Sequence, residues 1–392
     1  MGNQTFFAEW IIPVARPPIH QGFVTANDGI ISNLGAQTEF SGDPSSVRAL
    51  NHTVIFPALV NAMFHPDFST DRHGETPRGN FISWLHAAHN RSAGQSLSDF
   101  QSQALSALRN ILEAGTAAVG IRTRHPEIGQ HLENSGIYSA IFHTISGFKQ
   151  YNAYEIWRQR KLAFRTWKNT QHTHHHLSGE FLYTTAPLLF LEIAKIEERT
   201  ALPVATCRDE ELFLAKRNGT IYQYLLSLDD MDYRWNPPNI SPVQYLINGG
   251  FSVSDTILSQ MIHVTEEDLE LLAECSTDFH ICLHPRFDRV WELGTAPAPI
   301  MRKKGFNLCL GTFAEHLDLR KEMRSALAEY GFQPAEILEM ATINGAVALG
   351  FDDQLGSIVP GKQARLFTVS DENSIRDPYE LIFSNARLQP LG

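Results

Sequence analysis

Between Val54 and Gly350 the chain alternates short apolar runs with helical stretches, and few architectures accept that pattern. "TVIFPALV" is followed by "LSDFQSQALSALRNILEAG" and then by "TAAVGIRT". Farther on, "LLFLEIAKIEERT", "LPVAT", "TEEDLELLAEC", "FHICLHP", "PAPIMRKKG", "FNLCLGT" and "LRKEMRSALAEYG" continue the alternation. Short strands separated by helices of about ten residues or more are what βα units produce. Repeated over this length they predict an α/β fold, a (β/α)8 TIM-type barrel, which takes roughly 250 residues.

The flanks read differently. The first fifty residues are β-rich, and "FVTANDGIIS" sets Asp28-Gly29 between two apolar stretches, a short-hairpin signal. After Gly350, "DDQLGSIVPGKQARLFTVSD" again reads as turn and strand. The expected organisation is one small β-sandwich domain formed from both chain ends (1–54 and 351–392), flanking a barrel over 55–350. The tract "QHTHHHLSGE" (171–180) is compositionally odd. An internal histidine run can bind metal adventitiously, but a solvated loop is the expected state of His172–His176.

Composition narrows the partners. A formal net charge of −11 argues against nucleic acid or an anionic membrane, and leaves a small-molecule ligand and a homo-oligomer open. The four cysteines form no C-x-x-C pair, and free thiols in a reducing compartment are expected. No apolar run reaches the roughly 18–20 residues of a membrane span. "MGNQTFFAEWIIPVARPP" lacks a basic n-region and a cleavage site, so a cytoplasmic location is expected.

Several segments together resemble the amidohydrolase superfamily, in its deaminase and chlorohydrolase-like branch. "IFPALVNAMFHPD" is similar to the family's strand-one motif V-x-P-G-L-V-N-x-H-T-H, and "EAGTAAVG" to E-x-G-T-T-x-V-x-D. "SPVQYL", "HVTEEDLELLAE" and "LHPRF" resemble its middle strands, and "EILEMATINGAVALGFDDQLGSIVPGKQARLFTV" its closing segment. The resemblance implies one or two divalent metals at the C-terminal mouth of the barrel. Their ligands would be two strand-one histidines, histidines after strands five and six, and an aspartate after strand eight. Zinc or iron held there makes bound water a nucleophile near neutral pH.

This chain departs from that set. Met63 replaces the first histidine and His65 keeps the second. In "LPVATCRDEEL" Cys207 stands at the strand-five histidine, and Glu210 at the glutamate that serves as the family's proton shuttle. Gln260 takes the functional place in H-x-x-H, with His263 at the second, and Phe313 replaces the aspartate of G-T-D. Glu180 stands where a substrate-contacting histidine is usual, and Arg122 where many members have aspartate. A salt bridge from Arg122 to Glu180 or Glu210 is the plain expectation. Thioether and phenyl groups are poor company for a hard cation.

The expected function is therefore an amidohydrolase-like barrel that has lost metal-dependent C–N hydrolysis, a pseudoenzyme or a ligand- or partner-binding protein with no cofactor. Alternatives stay open. One is metal-free catalysis with Cys207 and His65 as a nucleophile–base pair beside Glu210, in a pocket gathering Asp67, Glu180, Gln260 and His284. Another is a hydrolase or deaminase acting on an aminopurine-like or other cyclic substrate, with altered or no metal. Zinc or iron would then draw on His263, His284, His316 or Asp318. Copper would need a second histidine beside His65, Cys207 and Met63.

Overall fold

The computed structural model describes residues 4–68, 81–133, 135–196, 199–251, 255–275, 278–314 and 318–391. The N-terminal flank supplies β1 (Gln4–Ile11), β2 (Ile19–Asn27), β3 (Ile30–Ala36) and β4 (Val47–Pro57). Asn27 pairs with Ile30 across the β2–β3 hairpin, with Asp28 and Gly29 at φ of 50° and 82°. Positive φ at both turn positions matches the right-handed twist of the strands, as the Asp-Gly pair predicts.

Eight further strands follow: β5 (Leu59–Phe64), β6 (Thr116–Thr123), β7 (Tyr138–Ile145), β8 (Thr173–Gly179), β9 (Arg199–Val204), β10 (Asp255–Gln260), β11 (Phe279–Leu283) and β12 (Asn307–Leu310). The chain closes with β13 (Leu366–Ser370) and β14 (Gln389–Leu391). Both ends meet in one six-stranded sheet, ordered β14-β13-β4-β1-β2-β3, rather than in two stacked layers. Along β4, Ile55 packs with Phe6, Val24 and Leu366 on one face. Val54 and Phe56 join Ile382 and Phe383 of helix Pro378–Phe383 on the other. That helix and the parallel strands cover the face where a second sheet of a sandwich would lie.

β5 to β8 and β9 to β12 form two four-stranded parallel sheets. Every residue of β5, β6, β7 and β11 is buried, as strands covered on both faces must be. Helices pack outside them. In Leu97–Glu113, capped by Ser96, the buried residues Phe100, Ala104, Ala107, Leu108 and Ile111 make one apolar stripe. The two halves meet at both edges. Thr312 and Phe313 donate their main-chain N–H groups to the Met63 carbonyl, each at 3.1 Å, and His65 N–H donates to the Phe313 carbonyl at 2.7 Å. At the other edge Thr200 Oγ1 donates to the Leu177 carbonyl at 2.9 Å. Among the described residues no helix is long and apolar enough to cross a membrane.

The histidine tract is not a loop. From Thr173 onward it forms β8, and the two-residue period of a strand sorts its side chains. His174 stacks on Phe351 and His176 on Phe142, with ring centroids 4.6 and 5.3 Å apart. His175 faces the other way, its Nδ1 2.9 Å from His143 Nε2. Burial and the neighbouring histidines hold His143 down to about 2 and His175 to about 4. One proton bridges two neutral rings.

In the unfolded chain these imidazoles titrate near 6.5, so above that pH both states are neutral and the pair adds a constant. Below it the unfolded chain takes up protons that the folded pair refuses. Stability must therefore fall as pH drops from 6.5 towards 4, His143 alone accounting for about 3 kcal/mol. Urea unfolding of the full chain across this range should show the decline, with a shallower slope in His143→Gln. Equal slopes would contradict it.

Candidate active site

Parallel strands all deliver their C-terminal ends to one face, where barrels of this type build their sites. Met63 and His65 come from the end of β5, Arg122 from β6 and Glu180 from the turn after β8. Cys207 and Glu210 follow β9, Gln260 ends β10, His284 follows β11 and Phe313 follows β12. Ala205, Gln260, Met261 and Phe313 have φ of 51°, 70°, 50° and 50°. Left-handed backbone in non-glycine residues is costly and gathers at functional sites. Of the twelve such residues among those described, these four sit at the ends of β9, β10 and β12.

One half of the face is saturated with charge. Arg122 is fully buried. Its Nη1 donates to His65 Nε2 at 2.6 Å, and Nη2 to the Gly179 and Glu180 carbonyls at 2.5 and 2.6 Å. Arginine only donates, so His65 carries its proton on Nδ1. Burial, then the Arg122 charge, holds the His65 imidazole neutral, far below its ordinary range. Burial also lowers Arg122 to about 9, with Glu180 and Asp67 opposing. The salt bridge expected from Arg122 to Glu180 or Glu210 does not form, because the turn after β8 presents its carbonyls instead. The Glu180 carboxylate pairs with Arg124, whose Nε lies 2.7 Å away. Asp67 accepts from Thr123 Oγ1 at 2.5 Å and from Arg124 N–H at 2.8 Å.

The other half leaves polar atoms without partners. Glu210 is fully buried. Its Oε2 accepts from Thr206 N–H at 2.9 Å and Oγ1 at 3.1 Å, while Oε1 has no hydrogen-bond partner. Burial raises this carboxyl to about 7 against the pull of Thr206. His284 Nδ1 is likewise buried without a partner, and the buried Gln260 amide faces the buried Asp288 carboxyl, to which it acts as a hydrogen-bond donor. Burial holds His284 down to about 3. Asp288 is pushed well up by burial and by Glu322, itself raised to about 8.

Cys207 and His65 do not make a nucleophile–base pair. His65 Nε2 is taken by Arg122, and Cys207 Sγ lies 3.8 Å from Thr206 Oγ1. Burial and the Glu210 charge push the thiol up to about 12, so it stays protonated. Asp288 and Glu322 escaped sequence reasoning. In "LRKEMRSALAEY" Glu322 lies on the stripe of Leu319, Met323, Ala326 and Tyr330, all buried, and that placement was a readable signal.

The family's metal set does not fit here. Met63 is packed among Ala62, Ala118, Tyr138 and Cys282, inside the fold. The Phe313 ring lies 4.5 Å from Phe287, 5.0 Å from His65 and 5.4 Å from His284, under Phe81 and Trp84. The remaining imidazole nitrogen is bonded to a guanidinium, a positive charge where a cation would sit. Among the described residues no three His, Cys, Asp or Glu side chains gather around a point. His263 is half-buried, Asp318 caps helix Leu319–Tyr330, and His316 lies outside the described residues.

An amidohydrolase family model matches residues 238–388. A 5-methylthioadenosine/S-adenosylhomocysteine deaminase of Desulfitobacterium hafniense is 34% identical over 141 residues, 33% of this chain and 32% of that protein. The match thus spans only about a third of that relative's length. A 5'-deoxyadenosine deaminase of Methanosarcina mazei is 24% identical over 383 residues, 90% of this chain and 80% of that protein. Among solved structures, a zinc-bound adenosine deaminase from Xanthomonas campestris superposes with a TM-score of 0.79 at 19% identity, over 98% of this chain and 90% of that one. That likeness shows the TIM-type α/β fold. The deaminase names of the relatives overturn the expectation of a pseudoenzyme that has lost C–N hydrolysis. The family match over residues 238–388 and the deaminase relatives agree with the motifs: the chain is similar to deaminase-like members of the amidohydrolase superfamily.

Proposed function

We propose that this protein is a hydrolase acting on the carbon–nitrogen bond of an aminopurine-like substrate, with Glu210 as proton carrier and without the family's metal set. The relatives named for 5-methylthioadenosine and 5'-deoxyadenosine support the substrate class. The observation that carries the reading is Glu210, a fully buried carboxyl at about 7 with one oxygen free of partners. A group poised near neutrality both accepts and returns a proton.

In the proposed reaction, water oxygen bonds to the ring carbon that bears the amino group, and the Glu210 carboxylate takes the water proton. Glu210 passes that proton to the ring nitrogen. Glu210 then carries the proton of the newly added hydroxyl to the amino group, the C–N bond breaks, and ammonia leaves as the hydroxyl oxygen becomes the ring carbonyl. Gln260 and His284 Nδ1 offer partners to the ring edge. A cavity of about 580 Å3 opens beside helices Phe81–Ala93, Arg208–Lys216 and Thr220–Ser227, lined by His86, Asp209, Gln223 and Tyr224. Its size suits a nucleoside, and Asp209 adjoins Glu210. We read the two parallel halves as one closed barrel over 55–350 that holds these strand ends in register.

Ammonia release from 5-methylthioadenosine, 5'-deoxyadenosine and adenosine, assayed with the full chain, tests this. At least one substrate should turn over, and Glu210→Gln should lower kcat by roughly 10²–10⁴ with thermal unfolding unchanged. Because the carboxylate is the active form, kcat/KM should rise with pH through about 7. No ammonia from any of the three, or full activity in Glu210→Gln, would overturn the proposal.

A further inference from the structure

Four cations share a further pocket. Arg286 and Arg289 lie on helix Pro285–Val290, and Lys321 and Arg324 on helix Leu319–Tyr330. With Ser325 they line a cavity of about 280 Å3. The chain as a whole is acidic, at −11, so the cluster is a local reversal of sign.

Few acidic side chains balance it. Glu329 pairs with Arg289 at 3.1 Å, while Lys321 has no acidic partner among the described residues. Arg324 spends Nη1 on the Phe383 and Ser384 carbonyls, at 2.8 and 3.3 Å, which fix its position without cancelling its charge. Arg289 Nη2 donates to Ser325 Oγ at 3.0 Å. Arg286 Nε is buried with no partner. The nearby carboxyl of Glu322 receives the Arg286 main-chain N–H at 2.8 Å. Raised to about 8, it supplies little negative charge at neutral pH. Burial and the charges of Arg320 and Arg286 hold Arg324 below its ordinary value against Asp318, a sign of like charges crowded together.

The two helices follow β11 and β12, the seventh and eighth parallel strands. Folds of this type frequently bind phosphate groups beside the loops after those strands. Guanidinium forks match the oxygen spacing of a phosphate, and a lysine adds a point charge. The cavity has room for the anion.

We infer that the pocket of Arg286, Arg289, Lys321 and Arg324 is a binding site for a phosphate dianion, free or as a small monoester. It does not depend on the reaction proposed above. Calorimetric titration of the full chain at low chloride, with inorganic phosphate, glycerol phosphate and sodium chloride, tests it. Phosphate should bind saturably at one site per chain, with affinity falling at least tenfold in Lys321→Glu and in Arg286→Gln. Lys321 is exposed, so its variant keeps the fold, and thermal unfolding checks this. Tighter binding of glycerol phosphate would assign the site to a monoester, and weaker binding to free phosphate. No saturable binding, equal heats with chloride, or unchanged affinity in Lys321→Glu would overturn the inference.

Discussion

The arrangement of the strand ends turns on one buried guanidinium. Arg122 ties His65 on β5 to the carbonyls of Gly179 and Glu180 after β8, from its own place on β6. A charge taken out of water costs several kcal/mol unless neighbours compensate it. Here the compensation is a network of Arg122, Arg124, Asp67 and Glu180, all packed into the same half of the face. With a cation already bonded to the remaining strand-one histidine, that half has no call for another. Its residues are structural partners of one another.

The second half shows the opposite economy. Glu210 Oε1 and His284 Nδ1 are buried without a protein partner, and the Gln260 amide and Asp288 carboxyl are buried with little beyond each other. Each such atom costs about 1–3 kcal/mol relative to a satisfied one. They cluster where the backbone of Ala205, Gln260, Met261 and Phe313 is held in left-handed conformations. Unpaired polar atoms and strained backbone in one place are what a site prepared for a ligand looks like before the ligand arrives. The aromatic wall of Phe313, Phe287, Phe81 and Trp84 keeps that region at low dielectric, which strengthens any hydrogen bond formed there.

Much of this was legible in the sequence, and the limits are physical. The alternation from Val54 onward located the parallel strands, because period and length are local properties. Asp28-Gly29 named its own turn. Motif positions placed Met63, His65, Cys207, Gln260 and Phe313 at strand ends, since a strand's end is set by the residues around it. The histidine tract misled because polar composition hid a two-residue period with apolar partners, Phe142 and Phe351, far away in the chain. The expected sandwich became a single sheet because helix Pro378–Phe383 covers β4, a tertiary fact. The choice of Arg122 for main-chain oxygens over carboxylates is equally long-range. No spacing rule contains it.

We propose that C–N hydrolysis in this protein proceeds through Glu210 without the family's metal set. The most direct measurement is ammonia release from the active aminopurine before and after chelator treatment, with metal per chain counted by mass spectrometry on tag-free protein. Turnover should survive chelation at a metal content far below one per chain. Activity that disappears with chelator and returns with one equivalent of zinc would contradict it.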